Sequence, residues 1–458
     1  MAARTPSLTR RQMLALTGGL SAGFVLSACG TGTGGGAAPT GGSSGGGGGT
    51  LELWANAATA GDTGSPLHQA AEAFGKANGV TINIQGIPTE DLVPKLTTTS
   101  SGGEGPDVAI VDVSSVPQLA AAQVLADVTS QSKEVADAFG TELLAGAGYD
   151  GKQYGLPYTT NNVALYYNKG MLSKAGIEVP TTWDDLRSAA VELTGGDQYG
   201  YMMGASGFGS FLFWPWLWQN GGEILSDDLT KATFADGPGM EAWEFYANLA
   251  VKDKVAPQEF VAANSSWDQY VAPFVQGRVA MMAIGPWGTG PITDGNPDLD
   301  WAAAPLPGRT AKGTVLGGTA VGVGANSAHA DVAWDFVRWV TDSAQMPYIQ
   351  DTGNIPARLD VVESDWAAED PVRKVFIDQI AVTRARPALP SWGDIEWGVM
   401  ADAWDSVIQG QKELPIGWPA SRTSRRASSS AWPSTAAANR RSRPPAATLA
   451  HPAVVASQ

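Results

Sequence analysis

Seventeen tryptophans occur in this chain of 458 residues, many beside Gly, Pro, Asn or Asp and outside regular apolar patterns. Phe211-Leu-Phe-Trp214-Pro-Trp216-Leu-Trp218-Gln-Asn-Gly-Gly-Glu223 is one cluster; Gly285-Pro-Trp287-Gly and Pro390-Ser-Trp392-Gly-Asp394 are isolated occurrences. Such residues suit the recognition of a sugar. An indole covers the apolar C–H face of a pyranose, while Asp, Asn, Gln or Arg side chains hydrogen-bond its rim of hydroxyls. Trp287 and Trp392 lie in loop-like sequence and are candidate stacking residues. Trp214, Trp216 and Trp218 fall in an eight-residue apolar run that suits a core, with Trp216 kept as a candidate contact.

Covalent chemistry finds no comparable constellation. Gly42-Ser-Ser44-Gly-Gly46 and Gly30-Thr-Gly32-Thr-Gly-Gly35 match hydrolase and dinucleotide patterns, but both lie in a glycine tract without the strand and helix each pattern needs. The three histidines, His68, His329 and His451, are far apart without neighbouring ligands, so neither a metal site nor a cofactor is expected.

The elements that must position the candidates follow from periodicity. Thr50–Trp54 alternates as a strand, His68–Asn78 reads as a helix ended by Gly79, and Val80–Ile84 is a second strand. Leu92–Ser100 reads as another helix, and Asp107–Asp112 is a short apolar run of the kind buried on both faces of a sheet. This βαβαβ order makes an open α/β sheet, whose ligands sit beyond the carboxyl ends of the strands. Trp54 and Asp112 stand at such ends. Asn161 and Asn162 follow a crossing strand, one suited to a structural role and the other to facing the cleft. Thr182 caps a helix start, Trp183 staples it, and Trp404 belongs to a helical core stripe.

The ends of the chain differ from its middle. Thr9-Arg-Arg-Gln-Met-Leu14 followed by the small, apolar Ala15–Ala28 reads as an export signal, too short at about 14 residues to span a bilayer. Leu26-Ser-Ala-Cys29 closes it and resembles a bacterial lipobox, so Cys29, the one cysteine, is the expected site of a diacylglycerol anchor. Residues 29–49 then form a Gly/Ser-rich tether. Residues 417–458 turn to Arg, Ser, Pro and Ala without periodicity, and read as a disordered basic tail of the kind produced by out-of-frame translation. The whole chain has a formal net charge of −16, but the ends hold nine of the 29 Lys and Arg and no Asp or Glu, so the middle carries 20 basic against 45 acidic groups, a net −25. That surface repels phosphate backbones, which excludes nucleic acid as a partner.

The segments Gly155–Lys169, Ala280–Trp287, Leu316–Phe336 and Thr352–Arg358 are similar to signature segments of the family 1 extracellular solute-binding proteins, the sugar-receptor lipoproteins of bacterial ABC importers. The resemblance runs from about Thr50 to Leu414. It implies a type II, maltose-binding-protein-like fold of two α/β lobes around a hinge, with the first lobe at 50–157 and 313–351 and the second at 158–312 and 352–416. It further implies that Trp287 stacks on the ligand, that Trp392 or Trp397 supplies a second aromatic, and that Asp112 fills a strand-end acidic position. Asn354, at the third crossing, joins the candidates. The implied function is monomeric, non-enzymatic capture of a carbohydrate or polyol and its delivery to an ABC permease. A secreted glycoside hydrolase, which would need two carboxylates facing one bond, and a carbohydrate-adhesive surface module are the alternatives.

Overall fold

The computed structural model describes residues 49–257, 267–350 and 352–412. The expected signal segment, Cys29, nearly all of the tether and the basic tail lie outside the described residues.

Among the described residues twelve strands form three sheets. β1 (Thr50–Asn56), β2 (Thr81–Ile87), β3 (Val108–Asp112), β6 (Leu156–Asn161), β10 (Thr314–Val323) and β11 (Ile355–Pro356) run in the order β11-β6-β10-β3-β1-β2, and β12 (Thr383–Ala385) pairs with the start of β10. β4 (Gly148–Tyr149) and β5 (Lys152–Gln153) make a small hairpin, and β7 (Ala164–Asn168), β8 (Met281–Ile284) and β9 (Trp301–Ala304) make a three-stranded sheet ordered β8-β7-β9.

The opening βαβαβ unit is present. The helices Pro66–Asn78 and Thr89–Ser101 connect β1, β2 and β3, and β1 pairs in parallel with both other strands. Pro66 starts its helix where no intrahelical N–H is needed, and Gly79 ends it in the left-handed region at φ 69°. Alternation places the side chains of β3 on two faces: Val108 and Ile110 enter one core with Leu51, Leu53 and Phe336, while Ala109 and Val111 enter another with Leu92 and Leu96. Covered on both faces and flanked by β10 and β1, β3 ends with Asp112 at its carboxyl end.

The other core surrounds the three-stranded sheet. The helix Ser206–Gln219 carries the tryptophan cluster and is buried nearly all round, as expected of a helix apolar on every side. Trp214, Trp216 and Trp218 all pack inside; Tyr246 stacks on Trp216, Trp404 stacks on Tyr246, and Trp243 meets Phe213 edge-on. Thr182 makes a full capping box with Asp185 at the start of the helix Trp183–Glu192, and the buried Trp183 donates its Nε1 proton to Gln219 Oε1 at 2.6 Å.

Three passages join the cores. Tyr158 packs with the first and Val163 with the second. β10 begins with Val315 in the second core and ends with Val321 and Val323 in the first. In the third passage Ile349 is in the first core and Ile355 in the second, Val361 packs in the first again, and Phe376 is in the second. At these changeovers the crossing strands β6, β10 and β11 hydrogen-bond to one another. Thr314 locks two of them: its Oγ1 accepts from Val163 N at 3.0 Å and donates to Val163 O at 2.8 Å.

Candidate functional site

Asp112 ends β3 and is held by the turn that follows. Its Oδ1 accepts from Ser114 N at 2.8 Å and from Ser114 Oγ at 2.6 Å. The same oxygen accepts from Arg386 Nη2 at 2.8 Å. All of these bonds fall on Oδ1, and the side chain is 44% exposed, so Oδ2 faces outward as an open acceptor.

Arg386 comes from the segment just after β12 and is almost wholly buried, with 2% of its side chain exposed. Its Nη1 donates to Glu396 Oε2 at 2.8 Å, and its guanidinium lies 5.1 Å from the centre of the Phe211 ring. Glu396 lies on the π-helix Asp394–Met400 and is fully buried. Its Oε1 accepts from Trp214 Nε1 at 2.7 Å and its Oε2 also accepts from Trp392 Nε1 at 3.2 Å. Burial pushes the Glu396 carboxyl up from the ordinary carboxylate range, opposed by Arg386. Burial also disfavours the charge on Arg386, but the fields of Asp112 and Glu396 outweigh it and raise its pKa above the ordinary arginine value.

Two glycines of β10, Gly317 and Gly318, and then Thr319 form the floor that runs from Asn161 to Asp112. Gly317 pairs with Asn161 and Thr319 with Asp112. A Cβ on Gly317 would strike the Asn161 amide, and Gly318, at φ 133°, could carry one only by striking Thr159 O. Glycine at both positions lets β6 and β10 approach and leaves Asn161 Oδ1 buried without a hydrogen-bond partner.

Two of the aromatic candidates lie on the second core's side. Trp397 follows Glu396 on the π-helix and is 47% exposed; its ring lies against Gly207, where a Cβ would strike it. Trp287 folds back over Gly285 and sits 6.4 Å from Phe211, centre to centre. Gly353 reaches the same loop, a Cβ there lying 3.7 Å from Pro286 O, and the neighbouring Asn354 donates to Thr352 Oγ1 at 2.9 Å.

Four other candidates are placed differently. Trp392 is fully buried beside Trp214, with ring centres 5.3 Å apart, so its indole packs under the site and offers no stacking face; its N–H is drawn inward by Glu396. Trp216 is buried between Trp183 and Tyr246. Asn162 is structural, its Nδ2 donating to Phe376 O at 2.7 Å and its Oδ1 accepting from Gln379 Nε2 at 3.0 Å. Trp54 packs toward the helix Thr89–Ser101, with Lys95 Nζ 4.5 Å above its ring, and does not join the group around Asp112.

Sequence reasoning missed Arg386, Glu396 and Gln118. The Gln118 Oε1 lies 3.1 Å from where a Gly393 Cβ would be, bringing the helix Val116–Ala121 against the start of the π-helix. Glu396 had a signal in its spacing, an acid between two tryptophans at 392 and 397. Among the described residues no cluster of three or more His, Cys, Asp or Glu could hold a metal, and no helix is long and apolar enough to cross a membrane.

Residues 69–375 match the family described as bacterial extracellular solute-binding protein. The maltotriose-binding protein of Pyrococcus abyssi is 25% identical over 71% of this chain and 71% of its own length. The diacetylchitobiose binding protein DasA of Streptomyces coelicolor is 26% identical over 76% of this chain and 82% of its own. An ABC transporter solute binding protein of Thermotoga lettingae, solved with alpha-D-tagatose, superimposes with a TM-score of 0.75 at 28% identity, covering 80% of this chain and 96% of that one.

Proposed function

The chain belongs to the bacterial extracellular solute-binding proteins, and from that membership we propose that it captures a carbohydrate between its two lobes and delivers it to an ABC importer. The observation that carries this reading is the open Oδ2 of Asp112 at the meeting of the lobes, with its sister oxygen fixed by Ser114 and Arg386. Asp112 Oδ2 accepts sugar hydroxyls. Asn161 and Gln118 add hydrogen bonds, while Trp287 and Trp397 cover apolar ring faces. Asn354 lines the third crossing, and Trp392 and Trp216 stiffen the wall from behind.

Capture needs only a shift between open and closed lobe arrangements, which a ligand produces by contacting both lobes at once. The carboxylates that meet here favour a receptor over a glycoside hydrolase. Hydrolysis needs an acid and a base or nucleophile free to reach the scissile bond, whereas both oxygens of Glu396 are engaged by Trp214, Trp392 and Arg386.

A thermal-shift screen with maltotriose, diacetylchitobiose and tagatose tests the reading. A bound sugar at a hundred times its Kd adds about 2.7 kcal/mol to unfolding and raises Tm accordingly. If a wider panel of neutral saccharides and polyols also left Tm unmoved, carbohydrate capture would be wrong.

Export and lipid anchoring at Cys29 are part of the proposal, supported by the Leu26-Ser-Ala-Cys29 sequence and the glycine tract after it. Cys29→Ala should move the protein from the membrane fraction to the soluble exported fraction while leaving sugar affinity within twofold, since Cys29 lies in sequence well before the first candidate contact. Fractionation and calorimetry on one preparation check this, and a membrane-bound Cys29→Ala protein would refute the anchor.

A further inference from the structure

We propose that Arg386 is a positioning residue that ties the carboxylate of Asp112 to the buried polar core of the other lobe, so that the orientation of Asp112 and the angle between the lobes are set together in the empty protein. Asp112 ends a strand of the seven-stranded sheet, whereas Glu396, Trp214 and Trp392 belong to the second core. Arg386 is the bridge, with one Nη on each carboxylate at 2.8 Å.

Three features make this bridge rigid. The guanidinium is planar, and its two terminal nitrogens are held by different groups, so it cannot turn without breaking a charge-assisted bond. Phe211 lies against it, and burial at 2% exposure keeps water from replacing either carboxylate. Asp112 is gripped at a single oxygen from both sides: Ser114 holds it within its own lobe, and Arg386 holds it from the other. A change in lobe angle therefore pulls on the carboxylate that faces the cleft, and a ligand engaging Oδ2 acts on the lobe angle through the same atoms. The Nε of Arg386 has no hydrogen-bond partner, so the ends of the side chain alone fix its position.

The test needs no ligand, so its outcome is separate from the identity or existence of a bound sugar. In the full chain with Cys29→Ser, spin labels are placed at Glu72→Cys on the helix Pro66–Asn78 and at Val191→Cys on the helix Trp183–Glu192, both exposed positions. Electron-electron resonance then gives the interlobe distance distribution. Asp112→Ala, at a half-exposed side chain, is expected to broaden that distribution and shift its centre. Ser114→Ala, which removes only the same-lobe hydroxyl bond, should leave it on the parental curve. Because removing Arg386 alone strands Glu396, the second arm is the double substitution Arg386→Met with Glu396→Gln, which removes the buried charges together; it should reproduce the Asp112→Ala distribution. A purely structural role for Arg386 predicts parental distributions in both arms, and that result overturns the proposal.

Discussion

Glu396→Ala is expected to lower the unfolding free energy by about 3 to 5 kcal/mol, the cost of removing one partner from a buried ion pair. The substitution leaves Arg386 buried against Asp112 alone and removes the acceptor of both the Trp214 and Trp392 indole N–H groups. It also opens a cavity beneath the π-helix. Glu396→Gln should cost less, because one amide oxygen still accepts a hydrogen bond while the charge is lost. Denaturant unfolding of the two variants against the parent decides the matter. A Glu396→Ala protein as stable as the parent would mean that water or a rearranged Asp112 takes over the guanidinium, and that the network contributes little.

What could be read from the sequence divides along a physical line. Local periodicity announced the opening βαβαβ unit, because each helix and strand buries one face against the next and the pattern of apolar residues records it. Thr182 and Gly79 declared their caps through residue type alone. The site was harder. Asp112 is a candidate by its place at a strand end, but its partner Arg386 comes from 274 residues away, and no local pattern encodes that meeting.

Trp392 marks the limit of reading an aromatic by its neighbours. Pro390 and Gly393 beside it describe a loop, yet the indole turns inward because Glu396, four residues on, accepts its N–H. The asparagine pair shows the same dependence. One of the two was expected to be structural, and only the packing of the helix Pro371–Asp378 against β7 and β9 determines that it is Asn162. A crossing strand likewise looks the same in sequence on either side of a changeover, and its ladder partners are not encoded locally.

Trp287 and Trp392 therefore make opposed predictions from the same residue type. Trp392→Ala should cost about 3 to 5 kcal/mol in stability, as for other buried aromatic truncations, through lost packing on Trp214 and a lost bond to Glu396. Trp287 is only partly buried against the second core, so, as a proposed stacking residue, Trp287→Ala should cost less stability and more affinity. A stacking indole at the centre of a binding surface is worth about 2 kcal/mol or more when truncated, which corresponds to a loss of about thirtyfold in Kd. Part of that comes from apolar area and about 0.5 to 1.5 kcal/mol from ring geometry. Calorimetric titration with the sugar selected by the thermal-shift screen, together with melting of the empty proteins, measures both quantities for each variant. The expected pattern is crossed, with Trp392→Ala melting early and Trp287→Ala binding weakly. If Trp287→Ala melted far below the parent yet bound with parental affinity, Trp287 would be a packing residue like Trp392, and Trp397 would be left as the aromatic platform of the cleft.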